Sequence, residues 1–518
     1  KPLYYGWAGN VLLFGSELKA LRSHPMWCDE IDRNALATFM RHSYIPAPYS
    51  IYRHIQKLLP GTILNLPIAA IRERCLPQPA VYWSIRKVAE IGAAEPFTGT
   101  DREATDRLEC LLRQSIRNQM VADVPLGAFL SGGIDSSTVV ALMQAESHAA
   151  VKTFTIGFNE EDYDEAKHAK AAATFLGTDH TELYLAPKDA MSVIPKLPSI
   201  YDEPFSDFSQ IPTLLVSQLA RQHVTVSLSG DAGDELFCGY KRYRLGKDLW
   251  STINRIPILP RRGIKKAIRR IPAGVWDGLF GWTAPLINRY GRPGVVSDKL
   301  QKVADLLDVE SADALYRRLV SNWKETDALV PDSVDLSTSF TRVGDMTNIP
   351  DFTQRMMFAD AVSYLPDDIL VKLDRASMAV SLESRVPFLD HRVVEFAWQV
   401  PMSMKLRDGQ GKWLLRQLLR RYLPDELIDR PKMGFGVPIG AWLRGPLRDW
   451  AESLLDQKGL LEDGFLDPKP IRDRWEDHLL GSRNWQYHLW DVLMFQSWRA
   501  EQQSTAAAGM ESASPSAA

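Results

Sequence analysis

Between residues 101 and 228 the hydrophobic pattern switches period several times. Apolar residues at helical spacing over 102–120 give way to an apolar run over 126–130, and a second helical stretch carries Thr138-Val-Val-Ala-Leu-Met143. A run over 151–158, a helical stretch over 164–176, a run over 181–185, a helical stretch over 210–222 and a run over 224–228 follow. Short apolar runs alternating with helical patterns predict an α/β fold, a parallel sheet with helices on both faces. Ligands of such sheets collect beyond the carboxyl ends of the strands. The loops after 126–130 and after 224–228 are therefore the places to look for chemistry, and the two can face one ligand.

The flanks read differently. The first 85 residues hold short strand-like runs such as 62–66, punctuated by Pro46, Pro48, Pro60 and Gly61, and predict the end of an antiparallel β-rich domain. Leu3-Tyr-Tyr5, a Gly9-Asn10 turn and Val11-Leu-Leu-Phe14 read as a hairpin in mid-domain, so a missing N-terminal part is expected. After Tyr243 the pattern is mostly helical to about residue 501, and the Ser/Thr/Ala-rich end reads as a disordered tail. The expected division is 1–85, 86–502 and 503–518.

The first loop is Ser131-Gly-Gly-Ile-Asp-Ser-Ser137. Two glycines let the backbone curl, and the serine-rich end places amide N–H groups and hydroxyls at the positive end of a helix dipole, a site suited to phosphate. It lacks the lysine of a Walker loop, and Asp135 would repel bare phosphate, which points to a magnesium-pyrophosphate cradle. Ordinary capping is the better account of a lone Ser-Gly-Gly; the whole heptad and the second loop, Ser229-Gly-Asp-Ala-Gly-Asp-Glu-Leu-Phe237, tip the balance.

Composition narrows the function classes. The chain has 518 residues, 45% of them hydrophobic, enough for two or three cores. A formal net charge of -3 gives no general attraction to nucleic acid or anionic membrane. The basic stretch Arg261, Arg262, Lys265, Lys266, Arg269 and Arg270 reads as a solvated helix face. Cys28, Cys75, Cys110 and Cys238 form no metal or disulfide pattern, which fits a reducing cytoplasm. The longest apolar run, 273–287, is too short to span a membrane and is broken by Pro285.

Six motifs in order resemble the glutamine-dependent asparagine synthetases, class B amidotransferases whose synthetase half is a PP-loop ATP pyrophosphatase. They are Ser131–Ser137, Ser229–Tyr240, Leu373–Ala379, Ser381–Asp390, Gly411-Lys412 and Arg430–Phe435, and Lys1–Tyr5 with Phe14–Lys19 resemble the last strands of the family's glutaminase domain. The resemblance implies an adenine nucleotide alpha hydrolase-like α/β fold with a helical C-terminal part, preceded by the remnant of an α+β N-terminal-nucleophile domain. It implies ATP and Mg2+, and small-molecule partners: aspartate or another carboxylate, ATP, and ammonia or glutamine. It implies neither nucleic acid nor membrane, and it allows a homodimer. The family's glutaminase uses an N-terminal cysteine, so a chain opening on Lys1 is expected to accept ammonia and not to hydrolyse glutamine.

By the same resemblance, Ser131, Gly132, Gly133, Asp135, Ser136 and Ser137 hold the β- and γ-phosphates, with Asp135 on magnesium. Leu130, Ile156, Ser229 and Gly230 flank the adenosine. Asp231 replaces a glutamate that assists adenylate formation and amidation, and Lys412 neutralises departing pyrophosphate. Asp234 and Glu235 fit either a second magnesium or a helix cap. Lys372, Asp374, Arg375, Glu383, Arg385 and Lys432 fall in matching motifs, where salt bridges explain such charges as well.

Two departures stand out. Ala232 and Cys238 replace small or glycine positions, and a positive φ would strain Ala232. The segment Asp202–Thr213 lacks an arginine found there in some asparagine synthetases, which weakens the case for free aspartate. The competing expectations are amidation of another carboxylate, such as a sugar uronate or a peptide acid closing to a lactam, and an inactive nucleotide-binding scaffold.

Overall fold

A computed structural model describes residues 1–158, 165–271, 275–276, 278, 295–341, 348–429 and 436–513. The motif at 430–435, with Lys432, and most of the apolar run at 273–287 lie outside the described residues.

The chain opens on β1 (Tyr4–Ala8) and β2 (Val11–Gly15), joined at Gly9-Asn10, with β3 (Ile55–Lys57) on the other edge of β1, all antiparallel. Gly9 takes the positive φ that so tight a hairpin requires. This segment shares a core with the rest of the protein: Tyr4, Phe39 and Met40 pack in one cluster with Trp490 and Phe495.

The central sheet has five parallel strands: β4 (Leu126–Phe129), β5 (Lys152–Phe158), β6 (Asp179–Leu185), β7 (Val226–Leu228) and β8 (Glu383–Arg385). Their order is β8-β7-β4-β5-β6. The first four correspond to the predicted runs. β8 was not expected: Glu383-Ser-Arg385 has no apolar residue to announce a strand, and it survives as an edge because β7 supplies the pairing.

Helix α1 (Asp101–Gln119) starts at a capping box in which Thr100 and Glu103 satisfy each other's backbone amides. Helices α2 (Ile134–Glu146) and α3 (Ala166–Leu176) follow β4 and β5. Their apolar residues meet Ala128, Leu130, Val226 and Leu228 in one core. Phe154, Ile156 and Phe158, alternating along β5, enter the other core with Ile211 and Leu214 of α4 (Gln210–Arg221). Helix α4 thus brings the chain back across the opposite face, past β5 and β4, to β7. Connections from β4 therefore leave in opposite directions, and the crevice between β4 and β7 is the topological switch point of the sheet. The loops at 131–137 and 229–237 both start there.

Three further helices matter below: α5 (Ile258–Arg270), α6 (Leu370–Met378) and α7 (Trp413–Leu419). The basic helix α5 is more than a solvated face. Arg261 is buried and donates to the Val309 carbonyl, while Arg262, Lys265 and Arg269 pair with Glu310, Asp308 and Asp305. The last helix, α8 (Gln486–Ala513), runs on through much of the stretch expected as a disordered tail; alanines at 506–508 favour helix. Residues 514–518 lie outside the described residues. Among the described residues no helix is long and apolar enough to cross a membrane.

Candidate functional site

At the switch point lies a cavity of about 1140 Å³, larger than a single small-ligand pocket of roughly 300–1,000 Å³ requires. Leu130, Ser131, Gly133, Asp135, Ser136, Ile156, Ser229, Gly230, Asp231, Asp234 and Lys412 all line it. Two expected residues do not. Gly132, with φ +68°, shapes the turn, and Ser137 is buried one step further round α2, its amide bonded to the Gly133 carbonyl.

The loop is built around the Ser131 and Ser136 hydroxyls. Gly133 N donates to Ser131 Oγ at 3.2 Å, Ser131 N to Ser136 Oγ at 3.3 Å, and the two hydroxyls lie 3.0 Å apart. The residue at the N-cap of α2 is Gly133, and no side chain caps this helix. The positive end of the dipole consequently faces the cavity, where an anion is favoured.

The second loop comes close enough to exclude side chains. A Cβ on Gly230 would meet Ser136 N at 2.6 Å, and one on Gly233 would meet the Asp135 carboxylate at 2.5 Å. Ala232 and Cys238 both take positive φ, +72° and +59°, as feared for the first. Ala232→Gly is expected to raise stability by about 1 kcal/mol, because glycine carries no αL penalty. Thermal or denaturant midpoints of the two proteins check this; a lower midpoint for the glycine variant would count against strain at 232.

Lys412 lies across from both loops. Its ammonium contacts the carboxylates of Asp135 and Asp234, the latter at 2.7 Å, and its side chain is 7% exposed. Burial alone would lower its pKa, but Asp135 and Asp234 outweigh it and hold the pKa above that of an ordinary lysine. The residue has φ +58° at the N-cap of α7, after a hairpin of Leu406–Arg407 and Gln410–Gly411. Tertiary contact separates the two members of the acidic pair. Asp234 turns to Lys412, whereas Glu235 is buried, accepts from Tyr240 Oη at 2.7 Å, and is pushed up to about 7 by burial and by Asp234.

Asp231 accepts from the Ser229 hydroxyl, and burial raises its pKa while that bond and Lys372 lower it. Lys372, on α6, sets its ammonium 2.6 Å from Asp207, just before α4. Asp207 is a site residue that sequence reading missed. It lies in the segment noted for its lack of arginine, and nothing local marks its pairing with a residue so distant in sequence. Among the described residues, three or more His, Cys, Asp or Glu side chains nowhere gather as a metal cage.

The other described charges of the matching motifs do not line the cavity and pair elsewhere. Arg375 binds the Ser16 carbonyl and neighbours Glu17 and Asp202, tying the N-terminal segment to α6. Arg385 binds Glu383 and the carbonyls of Gln119 and Val121. Asp374 lies 3.5 Å from Lys1.

The family model of asparagine synthase matches residues 107–500, and that of the glutamine amidotransferase domain matches residues 1–82. The chain belongs to the asparagine synthase family. Asparagine synthase relatives include asparagine synthetase (glutamine-hydrolyzing) 1 of Bacillus subtilis, 30% identical over 96% of this chain and 73% of that protein. Asparagine synthetase (glutamine-hydrolyzing) 3 of the same organism is 26% identical over 91% of this chain and 69% of its own length. Amidase chyE of Penicillium rubens is 26% identical over 90% and 70%. As a member of this family, the chain is a carbon–nitrogen ligase of ATP-dependent amidation chemistry.

Proposed function

We propose that the protein amidates L-aspartate to L-asparagine through a β-aspartyl-AMP intermediate, with ammonia as the attacking nucleophile. The observation that carries this reading is the convergence of Asp135, Asp234 and Lys412 beside half-buried Asp231 at the sheet's switch point. A carboxylate cannot exchange its oxide for ammonia directly, so it must be activated. Its oxygen attacks the α-phosphorus of ATP and pyrophosphate leaves; ammonia then attacks the acyl carbon, AMP leaves, and the nitrogen gives up its extra proton. This needs positioned charge more than covalent help from the protein.

In this reading the α2 N-terminus and the Ser131 and Ser136 hydroxyls bind the β- and γ-phosphates. Leu130, Ile156, Ser229 and Gly230 flank the adenosine. Lys412 holds positive charge against pyrophosphate as it forms. Asp231, its pKa raised by burial, accepts the proton released on amidation. Asp135 and Asp234 fit Mg2+, since that ion takes one or two carboxylates and completes its shell with phosphate and water. Bound there, it would neutralise phosphate charge. A cytoplasmic location is supported by Cys28, Cys75 and Cys110, exposed and unpaired as free thiols.

Carboxylate-dependent exchange of labelled pyrophosphate into ATP tests the proposal. Aspartate is expected to support exchange, and added ammonium salt to divert the intermediate to asparagine. Exchange with a uronic acid and none with aspartate would replace aspartate by another acceptor.

A further inference from the structure

Asp231 stands between two charge clusters of opposite build. On one side are Lys412, Asp135 and Asp234, whose ammonium-carboxylate contacts face the α2 N-terminus. On the other is Lys372 with Asp207, 2.6 Å apart, each side chain 12% exposed and each lining the cavity. In the proposed reading the first cluster faces the polyphosphate. The second borders the same cavity and is near enough to Asp231 to act on its pKa.

Asp207 is rigidly held. Its Oδ1 accepts from Ser209 N at 2.8 Å and Ser209 Oγ at 2.7 Å, leaving Oδ2 for Lys372. Burial raises its pKa, but Lys372 and the Ser209 bonds outweigh that and keep it ionised. Behind it, buried Asp368 is driven the opposite way, toward the neutral acid, by burial and by Asp207 itself. The cluster is therefore one ammonium against one carboxylate, close to neutral. A buried pair of this kind has little to gain from a ligand of single charge, which would leave one partner uncompensated. A ligand headgroup bearing both an ammonium and a carboxylate can be received without net charge: its carboxylate on Lys372 Nζ, its ammonium on Asp207.

Resting on the proposed amidation chemistry, we infer that the Lys372–Asp207 pair is the acceptor-recognition site and selects a carboxylic acid that also carries an α-amino acid headgroup. Uronates and simple diacids, having no ammonium for Asp207, are poor acceptors on this account. The headgroup at this pair leaves the distal carboxylate of the acceptor directed toward Asp231 and the phosphate side, where activation occurs.

The test compares aspartate with succinate, which differs from it by the ammonium alone. Binding of each to the full chain loaded with a non-hydrolysable ATP analogue is measured by calorimetry, and exchange kinetics are measured alongside. Wild type is expected to favour aspartate by roughly ten- to a hundredfold, the range of a hydrogen bond to a charged group. Lys372→Met should raise the KM for aspartate by a similar factor with the KM for ATP unchanged, and Lys372→Arg should restore much of it. Asp207→Asn should abolish the preference over succinate. Unchanged aspartate KM in Lys372→Met, or a parallel rise in the ATP KM, would overturn the inference. So would succinate or a uronate bound as well as aspartate by wild type, even with amidation intact. Preferential aspartate binding that depends on Lys372 but supports no exchange would uphold this site and refute the amidation reading.

Discussion

Replacing Lys412 with methionine is expected to lower pyrophosphate exchange by roughly three orders of magnitude, the scale on which a preorganised charge at a phosphoryl-transfer site acts. The ammonium is buried between two carboxylates and stays charged across the working pH range, so water cannot take its place. The same change leaves Asp135 and Asp234 facing each other without their cation. Breaking such a buried arrangement costs about 3–5 kcal/mol, and a clear drop in thermal midpoint should accompany the loss of activity. Adding Asp234→Asn to the variant separates the two effects. Part of the stability should return because one uncompensated charge is gone, while exchange stays low. Exchange within tenfold of wild type in Lys412→Met would remove this lysine from the phosphate site.

The second large effect is expected at Gly239. A Cβ there would lie 1.9 Å from Asp234 Oδ1 and 2.1 Å from Lys412 Cε, distances no side chain tolerates. Gly239→Ala must therefore push Lys412 and Asp234 apart, and a displacement near 1 Å in a positioned site costs on the order of a hundredfold in rate. Gly263→Ala is the matched control, since nothing lies within 4 Å of its added carbon on helix α5. Exchange should collapse in the first variant and be unchanged in the second. Equal activities would mean that contact between Lys412 and Asp234 is unimportant.

Much of the fold could be read from the residue order. The strands at 126–129, 152–158 and 226–228 are short segments of mostly buried apolar and small residues because they lie between two helical layers, and that burial leaves a mark in composition. The edge strand Glu383–Arg385 leaves none: three polar residues pair along one side only. The helix over 486–513 was obscured by a polar, small-residue end that resembles a tail. The basic helix is solvated along most of its charged face, as read, but its pairing with Asp305, Asp308 and Glu310 could not be seen because these lie well downstream.

The candidate site divides along the same line. The heptad at 131–137 and the acidic loop at 229–237 announce themselves because a turn into a helix N-terminus is a local event, encoded within a few residues by glycine, serine and aspartate. By itself, then, the sequence determined the parallel sheet, the two loops and the class of ligand they suit. Tertiary structure alone decided which charges meet: Lys412 with Asp135, 277 residues away, Glu235 with Tyr240 instead of the cavity, and Lys372 with Asp207. The reason is physical. Local conformation follows from backbone sterics and hydrogen bonds between near neighbours, whereas the partner of a buried charge is chosen by how helices from distant parts of the chain pack over a sheet.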